Sequence, residues 1–407
     1  VITLIRQELY KLFMRKKTFV VLIGLILLTG FITYGFKSNA ENMKKYDTPE
    51  FQIENIESNI IYLETEKNNI PQDIESDEVK TSEYLEDLDR EINQLESEKA
   101  LIMSTIGEDI DWRDTLDQKI KQQEKMILED GANVNASELA QMNLQLDELQ
   151  YLRDNQIEPQ EYHDFNGFIF INQLISTLGQ VFLFIGIAVF AADMVSGECT
   201  PPTLKLLLAQ PVSRGKVILS KFIAIVIASV SLIILVEILA FIFVGMIYGF
   251  GDSSYPSIVG TAYQFDTSIF LENGGHPLTM VPNSGEIIPV WQYTIKLFLI
   301  QGLFIVTITS FVFMISTLVK SSMVSMGTSV VSLIAATIIF QFSALQRLGK
   351  YFFTSYSSLD GLITGNIAMY YNNPSMTGSL GIIVNVGWII LCYLVAHTYF
   401  IKKDFLI

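Results

Sequence analysis

Long apolar stretches dominate the chain, separated near its start by one extended polar interruption. A helix needs about 20 mainly apolar residues to cross the hydrocarbon core of a bilayer. Six stretches meet that requirement, at roughly 18–36, 170–192, 217–250, 295–319, 323–341 and 380–401. The third is long enough to tilt or to project beyond the bilayer. The first lacks a small-residue cleavage pattern and further spans follow it, so it reads as a membrane helix rather than a removable signal. The expected fold class is an all-α polytopic membrane protein with six transmembrane helices and a large helical, coiled-coil-like extracellular insert between helices 1 and 2.

The polar interruption, 37–166, is helical by pattern. Ile53, Ile56, Ile60 and Leu63 follow 3-4-3 spacing, as do Leu85, Leu88, Ile92 and Leu95, and again Leu139, Met142, Leu146 and Leu149. Leu116, Ile120 and Ile127 are compatible with one more helix. Narrow apolar seams with charged flanks suit helices packed as coiled-coil-like hairpins. Breaks fall near Pro71, at Gly107 and at Asp130-Gly131, before Asn135-Ala136-Ser137, where a new helix can be capped. A solvated spacer and a partner-binding domain fit this pattern equally.

Ahead of the first span, Ile2, Leu4, Ile5, Leu9, Leu12 and Phe13 alternate with polar and basic residues at helical spacing. Residues 1–17 therefore read as an amphipathic interfacial helix, or else as an extension of the first span. Between the third and fourth spans, 251–292 is rich in Gly, Ser, Pro and Asn and predicts loops or short strands. The stretch 343–378 keeps aromatic and aliphatic residues throughout, which predicts one or two short re-entrant or interfacial helices, or an amphipathic surface helix.

Charge sets the orientation. Only 17% of the 407 residues are charged, and they are unevenly spread. The insert carries 33 Asp/Glu against 12 Lys/Arg, a net −21 within a chain of −16, leaving +5 for the apolar remainder. With the N-terminus cytoplasmic, six crossings return the C-terminus to the same side. The cytoplasmic segments then hold twelve basic residues, among them Arg15, Lys16, Lys17, Arg214, Lys216 and Lys221, against Glu8, Asp193, Glu198 and Asp404. The positive-inside rule favours this topology and places 37–166 outside. The acidity argues against nucleic acid as a partner. Cys199 and Cys392 are too few and too far apart for a disulfide framework, and His163, His276 and His397 share no ligand spacing.

The connection between the second and third spans, 193–216, holds the most informative motif. It begins Asp193-Met194-Val195-Ser196-Gly197-Glu198 and continues through Thr200-Pro201-Pro202 and Thr203-Leu204-Lys205-Leu206-Leu207-Leu208 to Pro211-Val212-Ser213-Arg214. Thr200 can cap a short helix, a following proline suits its first turn, and Pro211 ends it. The leucine cluster is too short to cross the bilayer, so it is buried either in a partner groove or at the bilayer interface. This stretch resembles the coupling region of ABC-2 permeases, the membrane-spanning subunits of ABC-2 type ABC transporters. Ser196-Gly197-Glu198, Thr203 to Leu208 and Pro211 to Arg214 match that region, and Lys221 stands at its final lysine. Pro202 departs from it, standing where the family usually has glycine, with Pro201 before it.

The resemblance covers most of the chain apart from 37–166. It implies that the loop docks into a groove of a separate ABC ATP-binding subunit through Glu198, Thr203, Leu204, Leu207, Leu208 and Arg214. Glu198 and Arg214 would be polar contacts and the leucines apolar ones. It further implies a permease of an exporter in a bacterial cell membrane, paired as a homodimer or with a related permease. A hydrophobic or amphipathic substrate such as an antimicrobial peptide would then move outward. Sodium-type ion efflux, or a surface, secretion-associated or sensor protein with a partner-binding ectodomain, are the alternatives. The chain carries no Walker A motif, since neither Gly215-Lys216 nor Gly349-Lys350 follows a glycine at the required spacing. No cofactor is expected in this chain, ATP and Mg belonging to the partner subunit. Within the spans, Glu237 is the notable acid, read either as part of a translocation path or as a structural hydrogen-bonding group.

Overall fold

The computed structural model describes residues 1–46, 48–68, 84–85, 88–89, 92–93, 95–96, 99–100, 102–103, 111–130, 136–161, 163–198, 212–270, 275–342 and 345–402. Contacts divide the chain into two compact units. The larger comprises Val1–Tyr34, Gln122–Ile157 and Asn166–Ile407, and the smaller Gly35–Lys121 and Glu158–Phe165. Among the described residues, six helices are long and apolar enough to span a bilayer.

Helix α1 (Ile2–Phe13) is separate from α2 (Lys16–Tyr46), the first span. The break is fixed by Thr18, whose Oγ1 donates to the Leu12 carbonyl at 2.5 Å. In the smaller unit, α3 (Pro49–Asn68) buries Ile56 and Leu63, the seam positions expected from the sequence. Beside α3 run the described positions between 84 and 103, which are helical. Tyr84 Oη donates to Glu66 Oε1 at 2.6 Å, and Lys99 pairs with Glu57 at 2.6 Å. Helix α4 (Trp112–Asp130) follows and buries Leu116 and Ile120. Its end and the start of α5 (Ala136–Asp154) fall where the turn residues predict them. The expected breaks at Pro71, Gly107 and Gly131 lie outside the described residues.

In the larger unit, Gln123 Nε2 donates to the Met142 carbonyl at 3.0 Å, joining α4 to α5. The second span starts with α6 (Gly167–Thr177), capped by Asn166. It then widens into a π turn (Leu178–Phe182) and continues as α7 (Leu183–Ala191). The third span is α8 (Arg214–Tyr248), whose 35 residues exceed what a bilayer core requires. Strands β1 (Pro256–Val259), β2 (Tyr263–Phe265), β3 (Leu278–Met280) and β4 (Glu286–Pro289) follow. They form nested antiparallel pairs, β1 with β4 and β2 with β3. Of the loops or short strands expected for 251–292, the structure has four short strands, and α5 joins this ribbon where Ser137 Oγ accepts from Met280 N at 2.8 Å.

Helix α9 (Val290–Leu318), the fourth span, touches α6, α7, α8, α10 (Ser322–Ile339) and the last span. Between α10 and that last span the chain makes four short turns: α11 (Gln346–Gly349), a 3-10 turn (Phe353–Tyr356), α12 (Leu359–Thr364) and α13 (Ile367–Tyr370). Tyr356, Leu359 and Ile367 are fully buried, so this segment is part of the core rather than a surface helix. Gly365 (φ +95°) lets it meet the ribbon, because a Cβ there would sit 1.9 Å from the Thr261 carbonyl oxygen. Helix α14 (Gly378–Lys402) ends the described chain. Outward-facing side chains such as Phe31 (74% exposed) on α2 and Met246 (76%) on α8 are apolar, as a lipid-facing surface requires.

Candidate functional site

One end of the bundle gathers α1, the α1–α2 elbow, the end of the second span, the start of α8 and the end of α14. There the Ser196-Gly197-Glu198 motif forms a 3-10 turn, and each of its residues has a distinct structural reason. Ser316 Oγ on α9 accepts from Val195 N and Ser196 N, both at 3.1 Å, while Ser196 Oγ donates to the Ala192 carbonyl at 2.8 Å. Gly197 is packed so closely that a Cβ would lie 3.1 Å from Asp193 Cβ and 3.4 Å from Ser322 Oγ. Glu198 then reaches Lys221.

Lys221 is the centre of the arrangement. It sits two turns into α8 with no exposed surface, and its Nζ donates to Glu198 Oε1 at 2.7 Å and to Glu8 Oε2 at 3.1 Å. Glu8 in turn accepts from Lys11 at 2.9 Å. Buried Lys221 and Glu8, with Glu198 and the half-exposed Lys11, make a formally neutral cluster, the condition under which buried charge is tolerated. Burial alone would raise the Glu8 carboxyl. The ammonium groups of Lys221 and Lys11 outweigh it and hold the group below the usual carboxylate range. A second ion pair ties the elbow to the loop, with Lys17 Nζ 3.0 Å and Arg15 3.7 Å from Asp193.

Of the residues proposed from the sequence, Glu198 and Arg214 lie at this end, both against the chain itself. Arg214 donates to the Ile401 carbonyl at 3.2 Å, so the start of α8 is held to the end of α14. Thr203, Leu204, Leu207 and Leu208 lie outside the described residues, as do the flanking Pro201, Pro202 and Pro211. Glu237 is elsewhere, fully buried between α8 and α9, where Gln301 Nε2 donates to its Oε1 at 2.5 Å. Sequence reasoning missed Glu8. It stands one turn after Leu4 and one turn before Leu12, on the apolar stripe of an amphipathic helix. A carboxylate on that stripe was the available signal, since it has to find a cation once buried.

Six apolar helices long enough to cross a bilayer define a multi-pass membrane protein in which Lys221 joins α1 to the 196–198 turn. Comparison narrows the class. The family described as ABC-2 family transporter protein matches residues 2–405, and the chain belongs to that family. Its members are membrane permeases without ATPase activity of their own, which implies an ATP-binding subunit as partner. No curated protein matches the chain.

Proposed function

We propose that this chain is the permease of an exporter, pairing with a second copy or a related permease and driven by ATP-binding subunits at the α1 end. That end is cytoplasmic in this reading, and 37–166 is outside. The observation that carries the proposal is the Glu8–Lys221–Glu198 cluster. Glu198 ends the turn that leads into the 199–213 loop, and Lys221 joins that turn to both α8 and α1. A push on the loop by a partner would therefore move a span and the interfacial helix together, as coupling requires. Glu198 acts here as the link between the loop and α8, with Thr203, Leu204, Leu207, Leu208 and Arg214 toward the ATP-binding subunit.

The substrate class this reading favours is hydrophobic or amphipathic, because the spans enclose few charges. Glu237, closed onto Gln301, is an interhelical clasp between α8 and α9 rather than an ion-coordinating group in a path. The test is reconstitution of the chain with its ATP-binding subunit in liposomes. ATP supplied on the α1 side should drive amphipathic dyes away from that side. Absence of ATP-dependent movement, or movement toward the α1 side, refutes the exporter reading.

A further inference from the structure

Away from the charged cluster, at the opposite end of the bundle, lies a cavity of about 540 Å³ that none of the roles above uses. Ser176 at the end of α6 and Gln180 in the π turn form one wall, Gln341 comes from just beyond α10, and the start of α12 supplies Ser358 and Asp360. The volume is within the range of small-molecule sites, roughly 300–1,000 Å³. Its origin is local. The π turn displaces the helix axis, and Gly179 within it lies so close to the re-entrant segment that a Cβ would be 3.0 Å from the Ser357 carbonyl and from Leu359. Insertions of this kind recur where a helix is shaped for a ligand rather than for packing.

The chemistry of the lining is one-sided. Asp360 is the sole carboxylate among the described lining residues, and no Lys, Arg or His is among them. Ser358 Oγ donates to its Oδ1 at 3.2 Å and Asp360 stands in the first turn of α12, so hydrogen bonding and the helix N-terminus favour the carboxylate without supplying a full positive charge. The remaining polar lining is hydroxyl and amide. With no cation among the described lining residues, Asp360 gives the cavity a net negative charge and favours a cationic ligand. The apolar part of the lining comes from Val181 on the π turn and from the rings of Tyr370 and Tyr371.

We infer that this cavity is a binding site for an amphipathic monocation, with Asp360 as the counter-charge and Val181, Tyr370 and Tyr371 against the ligand's hydrophobic body. The inference refines the proposed export function and rests on it, naming the charge and size of what the permease takes up. The probe is tetraphenylphosphonium, a permanent cation, set against tetraphenylborate, which has the same shape and the opposite charge. Equilibrium binding is measured with the full chain and its ATP-binding subunit in lipid nanodiscs. Saturable binding of the cation is expected, with much weaker binding of the borate. Asp360→Asn should weaken cation binding about tenfold or more, and Asp360→Glu should retain it. Should Asp360→Asn fail to purify, Gln341→Lys places a positive charge in the cavity and has to weaken the cation to a similar extent. Equal binding of cation and borate, no saturable binding, or an unchanged affinity in Asp360→Asn or Gln341→Lys would each overturn the site. Co-purification of the ATP-binding subunit is scored in the same preparation. Loss of that subunit counts against the transport reading, whereas charge-blind binding with the subunit present counts against the site alone.

Discussion

Replacing Lys221 by methionine removes the one cation that joins α1, the 193–198 turn and α8. The wild-type ammonium has no exposed surface and lies 2.7 and 3.1 Å from its two carboxylate partners. Each pair is worth several kcal/mol at an effective dielectric of about 20, most of it offset by the cost of desolvating the ions. Methionine fills much the same volume, so the loss of packing is small. Two buried carboxylates remain, of which Glu8 keeps Lys11 and Glu198 keeps nothing equivalent on α8. Breaking a buried ion pair in this way costs about 3–5 kcal/mol. The chain can limit that cost by releasing α1, which carries Glu8 into water. Amide exchange over residues 2–13 in nanodiscs should therefore accelerate by a factor between about 10² and 10⁴, or reach the free-peptide rate if α1 stays undocked. Protection of the spans α8 and α9 should change little. Adding Glu8→Gln and Glu198→Gln to Lys221→Met removes the stranded charges and should restore most of the protection. Exchange in Lys221→Met within threefold of wild type, or a triple variant no better than the single one, would refute the reasoning.

Acidification should reproduce part of that effect. The Glu8 carboxyl is held below its usual range in the folded chain, so its contribution is present at neutral pH and is lost as pH falls through the folded value. A spin label at exposed Tyr10 should keep constant mobility above about pH 5 and become mobile below the ordinary glutamate range, with Glu8→Gln showing no such pH dependence. Gly365→Ala places a Cβ against the Thr261 carbonyl at a positive φ, and should cost about 1–3 kcal/mol or more, read as a lowered Tm in detergent. Glu237→Ala strands the Gln301 amide and should cost about 1–2 kcal/mol, whereas Glu237→Gln should keep both stability and the pH profile of transport. A changed pH profile in Glu237→Gln would return that residue to the translocation path.

Hydropathy made the spans legible because length and apolarity are sufficient conditions for crossing a bilayer, and every expected span has its helix in the structure. The ends were less legible. Helix α2 continues ten residues beyond Phe36 through polar sequence, where propensity rather than hydropathy carries it. The π turn at Leu178–Phe182 left no mark in the pattern, since one inserted residue does not alter the composition or length of a largely apolar run. For 343–378 the persistence of aromatics pointed to burial, but the pattern could not reveal four short turns folded into the core around Tyr356. At the charged end, Glu198 and Lys221 stood out through the family motif, whereas the second partner of Lys221, Glu8, comes from a helix more than 200 residues earlier in the chain. Pairing across that distance follows from how helices pack, and one sequence does not display it. Asp360 was invisible for the same reason, being one acid in a loop until the fold placed it beside the π turn.

The central claim is that the 193–213 loop, rooted by Glu198 and Lys221, carries the force of a separate ATP-binding subunit into the spans. The most direct measurement is co-purification of that subunit with the full chain and with a chain lacking Pro201–Gln210, together with its ATPase rate in nanodiscs. Stoichiometric association with the full chain, and its loss on the deletion while the permease stays folded, is the predicted result. An ATP-binding subunit that never associates, or that binds the deleted chain as well as the full one, would contradict the account.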